Sequence, residues 1–326
     1  MARDHGGNID EAVARFGAGD WIDLSTGINR RPWPVGQLPD HVWRSLPTQA
    51  AQNRLIRVAS DWLGCVPNRL LPVAGASAAI QLNPRLLAPG RACVIAPSYN
   101  EHAASLRAAG WQVDERADLH DMEGADLAVV VNPNNPDGRE WPPHRLRALA
   151  RTVGHLIIDE SFADPRPDLS LATDPADNML ILRSFGKFWG LAGLRLGFTI
   201  AHPDMLTRLS EAAGPWPVNG PALDIATTAM ADRDWADDTI VYHAEAGLRL
   251  DRLALATGWT PAGGTHLFRL YATPDAHNAQ TQLARAHIWT RRFPYSATWL
   301  RLGIPGTRSE WDRLTAALRT PAARTP

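Results

Sequence analysis

The feature that most constrains this chain is a series of short, near-continuous apolar runs separated by amphipathic segments. The runs fall at residues 92–95, 127–131, 156–158, 179–182 and 198–200, with a weaker one at 71–73. Helical patterns lie between most of them, after Ser77, from Tyr99, and across 142–152. Strands that are apolar on both faces, alternating with helices, predict a parallel sheet covered on both sides. Such sheets bind ligands beyond the carboxyl ends of their strands. Gly75, Tyr99, Asn132 to Asn135, Asp159 and Lys187 all fall at such ends.

The pattern changes after Gly214-Pro215-Trp216-Pro217-Val218-Asn219-Gly220-Pro221, a dense turn cluster read as a domain junction. Two helical stretches follow, at 222–231 and 235–257, then short strands at 266–270 and 299–302. The expected organisation is an N-terminal arm over 1–40, packed on the active site and small domain. A large α/β domain follows over 41–215, and a small α+β C-terminal domain over 216–326. The Arg/Thr/Pro-rich last residues read as a frayed tail.

Composition narrows the function classes. Thirty-three basic and 34 acidic residues leave a net charge of −1, which argues against a nucleic-acid or membrane surface. Cys65 and Cys93 are the only cysteines, too few for a disulfide framework and without metal-ligand spacing, so no metal is expected. The N-terminal residues lack the apolar run of a signal peptide, and no stretch approaches the length of a membrane span. A cytoplasmic protein is the expectation. The 13 tryptophans read mainly as packing residues.

Chemistry concentrates around Lys187, in Ser184-Phe185-Gly186-Lys187 with Arg195 eight residues later. An amine in an apolar setting is more readily deprotonated and becomes a better nucleophile. A serine and an arginine on either side can grip one phosphate. Together they point to a Schiff-base lysine holding pyridoxal 5'-phosphate (PLP). Asp159 ends a buried strand, where an acid can pair with a protonated pyridine nitrogen; without the Lys187 segment it would read as a helix cap or a sheet-end ion pair. Asn132-Pro133-Asn134-Asn135-Pro136-Asp137-Gly138 is a turn that can aim Asn135 at the phenolic oxygen of PLP. Gly75-Ala76-Ser77 joins a strand to a helix, so it is either an anion site or an ordinary N-cap by Ser77. Tyr99 or His102 can lie over the pyridine ring, or be plain core. Arg301 sits in an apolar strand and needs an anion, either a substrate carboxylate or a structural acid.

The order of these motifs resembles the fold-type I PLP enzymes of the aspartate aminotransferase superfamily, over essentially the whole chain. The resemblance implies a large domain with a mostly parallel sheet, a small α+β domain, and a homodimer with its active site at the subunit interface. It makes Lys187 the Schiff-base lysine and Asp159 the pyridinium partner. It places Asn135 on the ring hydroxyl, Ala76, Ser77, Ser184 and Arg195 on the cofactor phosphate, and Arg301 on the substrate carboxylate. His5-Gly6-Gly7-Asn8, Asp23-Leu24-Ser25-Thr26-Gly27-Ile28-Asn29 and Asp159-Glu160-Ser161-Phe162 look more closely like the threonine-phosphate decarboxylases of cobalamin biosynthesis. That likeness implies decarboxylation of L-threonine O-3-phosphate, with His5, Asn8, Gly27 and Asn135 on the substrate. Arg30 departs from the arm motif, which usually has a proline there. Phe162 stands where many aminotransferases have a tyrosine, whose hydroxyl donates to the cofactor; phenylalanine cannot donate. Two other readings stay open. One is an aminotransferase for a phosphorylated substrate, of the histidinol-phosphate type; Phe162 and the His5-to-Asn8 arm argue against it. The other is a catalytically silent binding subunit; intact Lys187, Asp159 and Arg195 argue against that.

Overall fold

The structure, a computed structural model, describes residues 5–319; the C-terminal tail, expected to fray, lies outside them. The strands in chain order are β1 (Ile22–Asp23), β2 (Leu70–Val73), β3 (Arg91–Ile95), β4 (Gln112–Arg116), β5 (Leu127–Val131), β6 (His155–Asp159), β7 (Met179–Ser184) and β8 (Gly197–Ile200). They continue with β9 (Thr260–Gly264), β10 (Phe268–Ala272), β11 (Ile288–Trp289), β12 (Arg291–Phe293) and β13 (Ser296–Gly303). The chain forms two compact units.

The larger unit holds Trp33–Asn135 and Arg139–Ala236. Its seven-stranded sheet runs in the order β2-β8-β7-β6-β5-β3-β4. β4, β3, β5, β6 and β7 are mutually parallel, and β8 runs antiparallel to both of its neighbours. The apolar runs become strands because helices cover them: all five residues of β5 are buried. Val129, Ile157 and Leu182 share one core with Ile80 and Ala79 of the Ala76–Leu86 helix and Leu106 of the Asn100–Ala108 helix. β4 was not expected. As Gln-Val-Asp-Glu-Arg on the sheet edge it has no buried position, so it carries no apolar period.

The smaller unit holds residues up to Pro32, the short Pro136–Gly138 segment and Asp237 onward. Its four-stranded antiparallel sheet runs β12-β13-β10-β9. Its core gathers Ile22, Leu24, Leu250, Leu283, Leu300, Leu302 and Trp311. Pro136–Gly138 joins it because Gly138 lies against the backbone of Gly264, where a Cβ would collide.

Besides the Pro136–Gly138 segment, the expected domain borders differ from these units at both ends of the larger one. The 1–40 arm is not separate: β1 pairs in parallel with β11, and the stretch holds a helix, Ile9–Phe16, capped by Asn8. Nor does the turn cluster at 214–221 end the larger unit. Asn219 caps the Gly220–Ala231 helix and donates to Leu194 O, and Gly220 lies against the backbone of Val42. The border falls at Asp237, inside the Arg233–Ala256 helix.

Candidate active site

Five strand ends of the larger unit converge on one depression. Gly75, Ala76 and Ser77 follow β2, Tyr99 follows β3, Asn135 follows β5, Asp159 closes β6, Ser184 closes β7, and Lys187 sits in the Phe185–Phe188 helical turn after it. Arg195 completes the wall. Eight of the nine expected cofactor-binding residues therefore line one pocket.

The ninth, His102, does not line it. It was expected as a possible ring-stacking residue; instead its Nε2 lies 2.9 Å from Asp159 Oδ2. Against a carboxylate that nitrogen carries the proton. Asp159 is 3% exposed, and a carboxylate so buried needs donors. Ser161 supplies two, since its N–H (3.0 Å) and hydroxyl both donate to Oδ1. Burial alone would raise the Asp159 pKa, but the bonds from His102 and Ser161 outweigh it and hold the carboxyl below the usual range. Asp159 therefore stays an anion in the pocket wall. Ser161 was missed in the sequence; an Asp followed two residues later by Ser is a local turn signal that could have found it.

The end of the pocket formed by Gly75, Ser77 and Arg195 has three parts. Gly75 (φ 78°) is the N-cap of the Ala76–Leu86 helix and offers no side chain, so the first N–H groups of that helix are not capped from it. Ser77 is thus inside the helix and is not its cap. A Cβ on Gly75 would sit 2.9 Å from the Arg195 guanidinium, so glycine makes room for that cation. Arg195 itself adopts a left-handed backbone (φ 53°) after the Ala192–Leu194 turn. Two hydroxyls, an arginine and a helix N-terminus in one pocket suit a phosphate dianion. With a lysine and a buried carboxylate in the same wall, the residues fit PLP.

The Asn132-to-Asn135 turn divides its labour. Asn132 exchanges two bonds with the Trp141 backbone, and Asn134 bonds Pro97 O and Ser98 Oγ. Asn135 is the one that lines the pocket. Phe162 is 5% exposed, and Lys187 Nζ lies 5.7 Å from the centre of its ring. Around the lysine segment, Trp189 stacks on Phe185 (5.6 Å, 10°) and on Trp235 (5.3 Å, 17°).

The expected substrate residues other than Asn135 belong to the smaller unit. His5 borders a cationic depression there with Arg15, Arg291 and Arg292. Asn8 caps its helix, accepting from Glu11 N at 3.3 Å. Gly27 is buried in the arm. Arg301 is 3% exposed, donates to Ser25 O at 2.7 Å and lies over the Phe268 ring. Arg30, in place of the usual proline, donates to both oxygens of Glu310 and to Asp23 O, so it ties the arm to the Arg308–Arg319 helix.

The family model for aminotransferase class I and II matches residues 37–318, and the chain belongs to that family. A threonine-phosphate decarboxylase from Pseudomonas aeruginosa is 41% identical over 325 residues, covering 97% of each chain. A histidinol-phosphate aminotransferase from Mycobacterium bovis is 32% identical over 277 residues, 80% of this chain and 75% of its own. In three dimensions, the L-threonine-O-3-phosphate decarboxylase of Porphyromonas gingivalis shares the fold, with a TM-score of 0.73 at 20% identity over 90% of this chain and 97% of that one.

Proposed function

We propose that this chain is a PLP-dependent decarboxylase of L-threonine O-3-phosphate. The product is (R)-1-amino-2-propanol O-2-phosphate, used in cobalamin biosynthesis. The observation that carries the proposal is the 41% identity, over nearly the full length of both chains, to a decarboxylase of that substrate. Phe162 in the pocket wall, where a hydroxyl donor would suit a transaminase, supports it.

When bound, PLP supplies an electron sink for the pair left on Cα as the carboxylate departs. The residues have separable tasks. Lys187 is the covalent anchor and, once freed, the acid that returns a proton to Cα. Asp159, kept anionic by His102 and Ser161, would hold a proton on the ring nitrogen. Asn135 would donate to the ring oxygen, and Tyr99 would pack against the ring. Ala76, Ser77, Ser184 and Arg195 would hold the cofactor phosphate. Arg301 would be the group for a substrate carboxylate, and His5, Asn8 and Gly27 those for a substrate phosphate.

We extend the reading to a homodimer in the cytoplasm. Trp43 (66% exposed), Leu46 (63%) and Trp216 (56%) leave apolar surface on the larger unit that a second copy would cover. Light scattering should then give twice the 35.7 kDa chain mass.

Two measurements test the function. Lys187→Ala should abolish the visible absorbance of the lysine-bound cofactor; a surviving band would remove the reading. The wild-type protein should release carbon dioxide from threonine phosphate with no 2-oxo acid present. A requirement for 2-oxoglutarate would instead favour an aminotransferase of the histidinol-phosphate type.

A further inference from the structure

Beneath the pocket lies a cluster of buried charges that the chemistry above does not use. Alternation along β7 and past the end of β6 sends Ser184 and Asp159 to the pocket face and Arg183 and Glu160 to the other. On that other face Arg183 NH1 lies 3.1 Å from Glu160 Oε2, and NH2 lies 2.8 Å from Asp164 Oδ1. The side chains of Arg183 and Asp164 are 5% exposed and that of Glu160 is 0% exposed. Glu160 also accepts from Leu171 N (2.8 Å) and Ser170 Oγ (2.6 Å), so both of its oxygens are engaged.

The contacts close a ring around the lysine. Asp164 Oδ1 accepts from Trp62 Nε1 at 2.9 Å. The Trp62 ring packs on Phe188 (6.2 Å) and Trp189 (5.2 Å), the two residues after Lys187. Arg183 thus holds the strand entering the Lys187 segment, and through Asp164 and Trp62 it reaches the chain leaving it. Glu160, next to Asp159, is held by the same guanidinium, and its N–H donates to Leu182 O at 2.8 Å.

Stability alone does not explain such a cluster. Burying ions is costly, and apolar residues of similar volume are often as good or better. What three charges add is direction, because a planar fork fixes two carboxylates at set angles. We propose that Arg183, gripped by Glu160 and Asp164, is a positioning residue that sets Asp159 and Lys187 relative to each other across the two strand ends. The proposal rests on reading those two residues as the cofactor pair.

The test uses the cofactor-loaded full chain and two variants. Arg183→Lys keeps the charge without the fork. The triple variant Glu160→Gln, Asp164→Asn, Arg183→Met removes the three charges of this cluster while keeping acceptors for Leu171 N and Trp62 Nε1. Three readouts apply: melting temperature, the pH titration of the cofactor's visible band, and kcat against KM for carbon dioxide release. The triple variant should melt close to wild type, because no ion is left unpaired. Its visible band should titrate at a displaced pH, and kcat should fall by about tenfold or more with KM nearly unchanged, as expected for misplaced reacting groups. Arg183→Lys should displace the band in the same direction. A triple variant with wild-type titration and kcat would overturn the proposal and leave the cluster a purely structural one. If the triple variant does not fold, Arg183→Lys decides by the same band: an undisplaced titration overturns the proposal. A band that persists in Lys187→Ala would fell the cofactor reading instead, a separate outcome.

Discussion

Asp159 and His102 show how a single buried pair can be read in both chemistry and stability. The folded pKa of Asp159 lies below its ordinary value. Such a group contributes stability that is present above the unfolded value, near 3.9, and is lost as pH falls through the lowered folded value. Replacing His102 with phenylalanine removes one donor, so burial is less opposed and the carboxyl rises. His102→Phe should cost about 1.5–3 kcal/mol at pH 7, the range for a hydrogen bond to a charged group. Urea unfolding should show this deficit at pH 7 and show it narrowing as pH falls below the carboxylate range. Asp159 was legible in the sequence because it ends an apolar run. The use made of His102 was not, because the two residues are 57 apart in the chain and no local pattern links them. For the same reason, nothing in Asn-Pro-Asn-Asn tells which asparagine faces the pocket; that depends on Trp141, Pro97 and Ser98 taking the other two.

At the scale of elements, burial on both faces is what made the sheet readable. β5, β6 and β7 announce themselves because helices leave almost no position wet. β4 is silent because it sits at the edge with polar residues. The Ile9–Phe16 helix was hidden for a different reason: it is short and lies among turn residues, yet Asn8 and two early acidic residues give it a proper start. Strand β6 both carries Asp159 and fills the core. Ile157, 2% exposed and two residues before Asp159 on the same face, should therefore have a double effect. Ile157→Ala is expected to cost ~2–5 kcal/mol in denaturant unfolding. It should also loosen cofactor retention in dialysis, because the strand end that holds Asp159 is undermined.

The whole molecule carries a second, independent acid sensitivity in the smaller unit. His243 is 1% exposed on the Arg233–Ala256 helix. Burial above all, then the charges of His266 and Arg31, pushes its pKa down to about 4. The unfolded chain binds this proton more readily, so stability is whole above about 6.5 and declines as pH falls toward 4. The decline should reach ~3 kcal/mol. Urea midpoints measured from pH 7.5 to 4.5 should follow that slope, and His243→Leu should flatten it while leaving stability at pH 7.5 close to wild type. The extent of the two units was the least legible feature. A turn cluster rich in Gly and Pro looks like a border, but the chain crosses between units inside a continuous helix, where no local signal marks the place.

The stacked rings beside the lysine have an optical consequence. Trp189 and Trp235 are stacked with centroids 5.3 Å apart, a fixed asymmetric packing that gives both indoles a near-ultraviolet circular-dichroism signal. Trp189 is two residues from Lys187 in the chain. The packing of the Lys187 segment can thus be followed in the protein alone, as a signal lost in Trp235→Phe, without the visible colour that a bound cofactor brings.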